Sequence, residues 1–272
     1  MRPTDHIFTG VYDAGDRSDR LVGQVHHSPK MTSAHLNYLL VTPDADREAV
    51  SVLLEGLVRE AGAWGVKQIF ADLAVDSDLY PQFRRAGFSA LAKQRVFKSI
   101  DRADVPTSLR GTWRTWTSDD IPAMRRLYQT LIPPLIQSVE PLTRREKLGL
   151  VYRDESGSLQ AYADLVYGPK GAWVLPIVNP QIEEDLSELL VQMIVDLPER
   201  YRRPVYITVR SYQPWVENAL ESLDLEMGPE QLFLVRYLSP RVKATAEFVY
   251  APIENGKPEP TIPMTPIQNH QE

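Results

Sequence analysis

The chain of 272 residues contains no cysteine, which excludes disulfides, thiolate metal sites and a cysteine nucleophile. No apolar run approaches the roughly 18 residues of a membrane span, and the N-terminus lacks the apolar core of a signal peptide. Basic residues are also in the minority, 30 against 36 acidic ones, for a formal net charge of −6. Nucleic-acid binding favours a basic face. We therefore predict a soluble cytoplasmic protein that binds neither membranes nor nucleic acid.

What is present is an ordinary globular composition, with 43% hydrophobic and 24% charged residues. This length is typical of one large domain or two small ones. The hydrophobic pattern predicts the same order of elements twice: three strands, a long helix, a strand, a short helix and a strand. The long helices are predicted at 47–64 and 181–201. A further helix is predicted at 118–131, with Ser118 as its N-cap.

Short stretches of the two halves also match in sequence. "VTP" (41–43) and "VNP" (178–180) each end a strand, and "EAVSVLL" (48–54) corresponds to "EDLSELL" (184–190). A shift of 136 residues places the strand "KQIFADL" (67–73) on "RPVYITV" (203–209). These matches indicate an internal duplication.

The ending "LYPQFRRAGF" (79–88), after a strand and the "VTP…LLEGLVREAG" layout, resembles the GNAT superfamily of N-acetyltransferases. The resemblance implies an α/β fold of two acetyltransferase-like domains, each a mixed, mostly antiparallel sheet flanked by helices. In that family the two middle strands splay apart and hold the acyl-CoA pantetheine between them. The predicted divisions are an N-terminal domain 1–100, a linker 101–111, a C-terminal domain 112–240, and a strand and Pro-rich tail 241–272.

The first half lacks the family's first strand and first two helices, which the second half has at 112–147. These elements shape the acceptor side of the family's site. The strand-like "ATAEFVYA" (244–251) has no place in the second half's order. We therefore expect it to complete the sheet of the first half.

The resemblance implies acetyl-CoA as cofactor, bound at the turn between the middle strand and the long helix. A pyrophosphate binds there to backbone N–H groups. The implied contact positions are Val178, Gln181, Ile182, Glu184 and Leu186 in the second half, and Val41, Arg47, Ala49 and Val50 in the first. The family's turn pattern Gln/Arg-x-x-Gly-x-Gly/Ala falls on Ala45, Glu48 and Val50, and on Gln181, Glu184 and Leu186.

Only Gln181 fits that pattern, and acids stand where the family has glycine. Acidic residues at a helix start also have an ordinary explanation, since they interact favourably with the helix dipole. A carboxylate beside a pyrophosphate would cost about 1 kcal/mol per close pair. If one half binds CoA, we expect the second, which has the complete set of elements.

No catalytic residue is singled out. The family's proton-donating tyrosine falls on Phe83 and near Leu220, and Tyr80 is a weak substitute. A general base for an amine acceptor could be Glu140 or Asp164. No metal site is predicted, because adjacent strand residues His26 and His27 point to opposite faces.

Two functions are weighed. The first is acetyl transfer from acetyl-CoA to an amine, on a small molecule or a protein, through an atypical cofactor site. The alternative is a catalytically degenerate tandem scaffold that binds a small molecule or a protein. The sequence leaves open a homodimer and a partner protein bound through the Pro-rich tail.

Overall fold

The first half of the chain folds in the predicted order. The computed structural model describes residues 6–13, 20–29, 31–99, 111–140, 142, 148–168, 170–198 and 203–238. The elements of the first half are β1 (His6–Asp13), β2 (Arg20–His27), β3 (Ser33–Leu40), α1 (Arg47–Ala63), β4 (Gln68–Ala74), α2 (Tyr80–Arg85) and β5 (Ser89–Ser99).

The second half repeats this order after one added strand and two added helices. Its elements are β6 (Thr112–Thr115), a 3-10 turn (Ser118–Asp120), α3 (Ile121–Leu131), α4 (Pro134–Val139), β7 (Leu148–Arg153), β8 (Leu159–Gly168), β9 (Gly171–Val178), α5 (Leu186–Val195), β10 (Val205–Arg210), α6 (Pro214–Glu221), β11 (Glu226–Met227) and β12 (Gln231–Tyr237). The strand expected at 244–251 and the tail lie outside the described residues.

Two predicted helix boundaries are wrong. The side chain of Asp185 accepts a hydrogen bond from the Glu188 backbone N–H at 3.0 Å, so α5 begins at Leu186 and not at Gln181. The N-cap of the turn before α3 is Thr117 and not Ser118. Thr117 forms a reciprocal capping box with Asp120.

All twelve strands lie in one sheet, in the order β1-β2-β3-β4-β12-β5-β10-β9-β8-β7-β6, with β11 paired to β5. The last strands of the two halves are exchanged. Strand β5 of the first half pairs with β10 of the second, and β12 of the second half lies between β4 and β5. The halves therefore share a continuous sheet, and the division into domains 1–100 and 112–240 stays a prediction.

Each half contains one parallel pair of strands that separates after a short contact. In the first half only Ser33–His35 pairs with Gln68–Phe70, and in the second only Ala172–Val174 pairs with Val205–Ile207. Beyond these residues the described parts of the paired strands diverge. The splay that the family resemblance implies is present in both halves.

The helices cover opposite faces of the sheet. Helix α1 packs on one face around Leu54 and Ile69, and α5 and α6 pack on the same face around Leu190 and Ile207. Helices α3 and α4 cover the other face. No helix within the described ranges is long and apolar enough to cross a membrane.

Candidate functional site

A cavity of about 610 Å³ lies between the sheet and helices α3 and α4. This volume is in the range of small-molecule sites in proteins. His35 and Phe70, the last pair of residues before β3 and β4 separate, line it. Trp173 and Tyr206, at the separation of β9 and β10, line it as well. Both splayed pairs therefore open onto one shared cavity.

The second half supplies the cover that the first half lacks. The side chain of Gln68 on β4 donates a hydrogen bond to the carbonyl of Val139, the last residue of α4, at 2.9 Å. Val139 is also buried against Phe70, Phe233 and Val235. Because these contacts are buried, they fix α4 over the strands of the first half.

The polar centre of the cavity is built around Arg210 at the end of β10. Its guanidinium donates to Glu140 Oε1 at 2.6 Å and to the side-chain oxygen of Gln94. Its Cζ lies 3.6 Å from the ring centroid of Phe233, which is cation–π geometry. Arg210 is buried, so these partners replace part of the water that the cation gives up on folding, while its Nε has no hydrogen-bond partner in the described part of the chain.

Asp72 on β4 faces the same centre and was not among the predicted site residues. Its side chain is accessible to water within the cavity. Desolvation by the surrounding protein raises the pKa of Asp72, and Arg210 and a hydrogen bond from Gln94 oppose that shift. A carboxylate with a raised pKa is a better proton acceptor.

Besides Tyr206, three further tyrosines line the cavity: Tyr128, Tyr162 and Tyr212. Tyr128 donates to the carbonyl of Glu140 at 2.6 Å, and burial, with the charge of Glu140, raises its pKa to about 12. Burial also raises the pKa values of Tyr162 and Tyr212. All three hydroxyls are therefore protonated at neutral pH.

The slot between β9 and β10 is filled by side chains of the chain itself. Gln213 is fully buried; its Oε1 accepts from the Val178 backbone N–H at 3.1 Å, and its Nε2 donates to the Pro176 carbonyl at 3.0 Å. Trp215 Nε1 donates to the Val178 carbonyl at 3.1 Å. These are the backbone groups on which the family resemblance places pantetheine.

Backbone N–H groups of the turn after β9 are also bonded within the chain. The backbone N–H of Gln181 donates to the Asn179 side chain at 3.1 Å, and that of Ile182 to the Asn179 carbonyl at 3.2 Å. Glu184 accepts from the Tyr152 hydroxyl at 3.1 Å, and burial raises the pKa of Tyr152 to about 12. Leu186 begins α5 and packs against its core.

Four carboxylates surround this turn. Asp154 and Glu155 from the β7–β8 connection, with Glu183 and Glu184, line one surface depression. A pyrophosphate there would meet like charge on both sides. The second half has the complete set of elements, but the carboxylates around its turn do not fit the phosphates of CoA.

The slot of the first half is different. Among the described residues, no side chain bonds the backbone of Leu36–Val41 in the way that Gln213 bonds β9. The residue before α2 is Leu79, whose apolar side chain makes no capping hydrogen bond. Within the described ranges, no strand or side chain pairs with the edge of β3 at 36–41 that faces the slot.

The predicted contacts of the first half are arranged around the start of α1. Val41 is half-buried against the α1 core, where Ala49 and Val50 are buried. Arg47 forms an ion pair with Asp78, before α2. Glu48 is exposed.

The candidate catalytic residues separate into two groups. Tyr80 packs against the α1 core on the opposite face from the cavity. The positions of the family's tyrosine hold Phe83 and Leu220, both buried. Glu140 and Asp164 both line the cavity.

The histidines of β2 lie on both faces of the sheet. His26 lines the cavity, whereas His27 lies on the other face and bonds the Ser33 carbonyl through Nδ1 at 3.0 Å. Within the described ranges, no group of three or more histidine and acidic side chains is arranged to hold a metal ion.

No protein-family model and no curated protein matches the sequence. In structure the chain is similar to a conserved protein of unknown function from Staphylococcus epidermidis ATCC 12228, with 10% identity over 84% of this chain and 94% of that one and a TM-score of 0.55. It is also similar to a GCN5-related N-acetyltransferase from Sphaerobacter thermophilus, with 14% identity over 80% and 76% and a TM-score of 0.49.

A tandem GNAT protein from the clavulanic acid biosynthesis pathway is similar at 14% identity over 88% of this chain and 85% of that one, with a TM-score of 0.44. The similarity to the Staphylococcus epidermidis protein shows a shared fold alone, and the TM-scores of 0.49 and 0.44 carry no argument. The fold of the chain is acetyltransferase-like in tandem form, as its own strand order and its two splayed pairs indicate.

Proposed function

We propose that the chain transfers an acyl group from an acyl-CoA to an amine, with the thioester in the slot of the first half and the amine in the shared cavity. One observation carries this proposal. The edge of β3 that no other described strand pairs with leads to His35 and Phe70, and these residues line a cavity that α4 of the second half covers. The donor side of one half thus meets the acceptor side of the other.

The residues of the first slot fit the pantetheine arm of acyl-CoA better than they fit its phosphates. The slot-facing edge of β3 offers backbone groups to the amides of the pantetheine arm. At the turn, Asp44, Asp46 and Glu48 oppose the phosphates, and Arg47 is the nearby cation. The Glu48 backbone N–H is already bonded to Asp46 at 3.1 Å. We therefore expect the arm, and not the pyrophosphate, to contribute most of the affinity.

Asp72 is positioned to take a proton from the incoming ammonium group. It lies two residues beyond Phe70, on the cavity-facing side of β4 where the strands have separated. Loss of one proton to Asp72 leaves a neutral amine, whose nitrogen attacks the thioester carbonyl. The C–N bond forms, the nitrogen gives its second proton to solvent, and the C–S bond breaks. The thiolate leaves through the slot and takes up one proton from solvent, so the products are a neutral amide and the free thiol.

The test is release of free thiol from acetyl-CoA in the presence of a panel of amines, with products identified by mass. Because the chain has no cysteine, a thiol reagent detects only the released CoA. Asp72→Asn should lower kcat by about 10²-fold, the usual effect of losing a general base. Asp76→Asn, an exposed residue in the next loop, is the matched control and should have no effect.

Acetyl-CoA binding without turnover of any amine would reject transfer and leave a binding scaffold. An equal loss of kcat in Asp72→Asn and Asp76→Asn would reject Asp72 as the general base.

A further inference from the structure

We infer that the ligand of the shared cavity is a compact primary amine with an aromatic or branched apolar body and no acidic group. Its role as acyl acceptor rests on the proposed function. Its binding does not, because the cavity's lining recognises it without a thioester.

The charge of the lining selects for a cation. Asp72, Glu140 and Asp164 face the cavity, and Arg210 is the guanidinium among the described residues that line it. Arg210 is already engaged by Glu140, by Gln94 and by the ring of Phe233. Among the described residues the lining thus carries three carboxylates against one guanidinium, with His26 and His35 at the β2–β3 side. Arg210 Nε has no hydrogen-bond partner within the described ranges, but both guanidinium NH2 groups are engaged, so the excess of carboxylates favours an ammonium group over an added carboxylate.

The apolar side chains that line the cavity favour a ligand with an apolar group. Ile132 and Ile136 come from the covering helices, and Phe70, Trp173 and Tyr206 come from the strands. The Trp173 indole donates to Thr208 Oγ1 at 2.8 Å, which holds its ring in place. Aromatic rings bury a large apolar area and also attract a cation at their faces.

The cover limits the size of the ligand. The buried contact of Gln68 with Val139 and the packing of Tyr128 and Ile136 fix α3 and α4 over the sheet. The remaining volume of about 610 Å³ suits a small molecule. A ligand with one charged end and one ring matches these three features together.

The experiment is isothermal titration of the full chain with four probes, in the absence of any thioester. The probes are 2-phenylethylamine, its neutral analogue 2-phenylethanol, the anion 3-phenylpropanoate, and ethylamine. We expect 2-phenylethylamine to bind about tenfold or more tightly than each of the others, because it alone has both the charge and the ring. Asp72→Asn should weaken 2-phenylethylamine about tenfold and leave 2-phenylethanol unchanged.

If 2-phenylethanol or 3-phenylpropanoate binds as tightly as 2-phenylethylamine, the inferred selection for a positive charge is wrong. If ethylamine binds as tightly as 2-phenylethylamine, the inferred selection for an apolar body is wrong. Absence of binding by all four would overturn the inference as a whole. Failure of the proposed function looks different: 2-phenylethylamine would bind with the expected ranking, yet acetyl-CoA would transfer nothing to it. The ranking uses only the unmodified chain, so it does not depend on the folding of a variant.

Discussion

Gln213 and Val178 are joined by a buried hydrogen bond of 3.1 Å from the backbone N–H of Val178 to Oε1 of Gln213. The other end of the same amide bonds the Pro176 carbonyl at 3.0 Å. Gln213 precedes α6, and the residue in that place before α2 is Leu79. Among the described residues, the amide of Gln213 therefore fills the second slot together with Trp215, and Leu79 offers no such group to the first.

Gln213→Ala should destabilise the chain by about 2–4 kcal/mol. The substitution leaves two buried backbone groups without partners and creates a cavity, and each effect costs about 1–3 kcal/mol. The measurement is the free energy of unfolding from denaturant titration. Gln129→Ala, at an exposed position of α3, is the control and should change stability by less than about 0.5 kcal/mol.

Acetyl-CoA affinity should not change in Gln213→Ala, because the proposed donor slot is in the other half. A large gain of affinity with normal folding would instead place the donor in the second half, because the substitution frees the backbone groups of Val178 and Pro176 there.

Much of the fold could be predicted from local pattern. The apolar spacing of Leu53, Leu54 and Leu57 indicates the buried face of α1, and the repeat of "VTP" by "VNP" places the two splayed strands. The exchange of β5 and β12 could not be predicted. Both are alternating strands next to the middle of a sheet, and alternation fixes which face is buried but not which strand is the partner.

The site was harder to predict than the fold because its residues meet over long distances in sequence. Arg210 contacts Gln94 and Glu140, which lie 116 and 70 residues away. Asp72 had one available signal, a charged residue on the same strand face as Phe70, within a stretch that otherwise indicates a buried strand. Glu140 and Asp164 were named as candidates, and both line the cavity.

Asp72→Asn should raise the melting temperature at neutral pH. Desolvation by the surrounding protein raises the pKa of Asp72 although its side chain reaches water in the cavity, so the native state holds its proton more tightly than the unfolded state. Below the unfolded value of about 3.9 the carboxyl is protonated in both states and has no effect. As the pH rises through the raised folded pKa, ionisation disfavours the native state, and asparagine removes that penalty.

The measurement is the melting temperature of both proteins across the acid-to-neutral range. The gain from Asp72→Asn should grow with pH and then level off, whereas Asp76→Asn should show no such trend. A stabilisation that is the same at every pH would contradict the assignment to ionisation.

Glu48→Gln should raise the affinity for acetyl-CoA several-fold and leave the affinity for pantetheine unchanged. The carboxylate stands in the first turn of α1, where the phosphates would lie, and one close like-charge pair costs about 1 kcal/mol. Titration calorimetry with both ligands measures the difference. Glu55→Gln, an exposed change on the same helix, is the control. An equal gain for pantetheine would show that the effect does not come from the phosphates.

Asp120→Ala should destabilise the chain by about 2 kcal/mol at neutral pH. Asp120 is 1% exposed and pairs with Arg114 and Arg153, each at 2.7 Å, and it also accepts from the Thr117 backbone N–H at 2.9 Å. The guanidinium groups of Arg114 and Arg153 are partly exposed to solvent. The loss of stability is therefore smaller than that from breaking a fully buried ion pair.

These partners hold the pKa of Asp120 well below its usual range, even though burial alone would raise it. The stabilisation is therefore fully present above the unfolded value of about 3.9, and it is lost as the pH falls through the depressed folded pKa. Denaturant titration at neutral pH and near pH 2 should show the loss from Asp120→Ala shrinking toward the acid end. Asp119→Ala, the exposed neighbour, should change stability little at either pH. Equal losses in the two variants would mean that the ion pairs with Arg114 and Arg153 do not stabilise the cap of this helix.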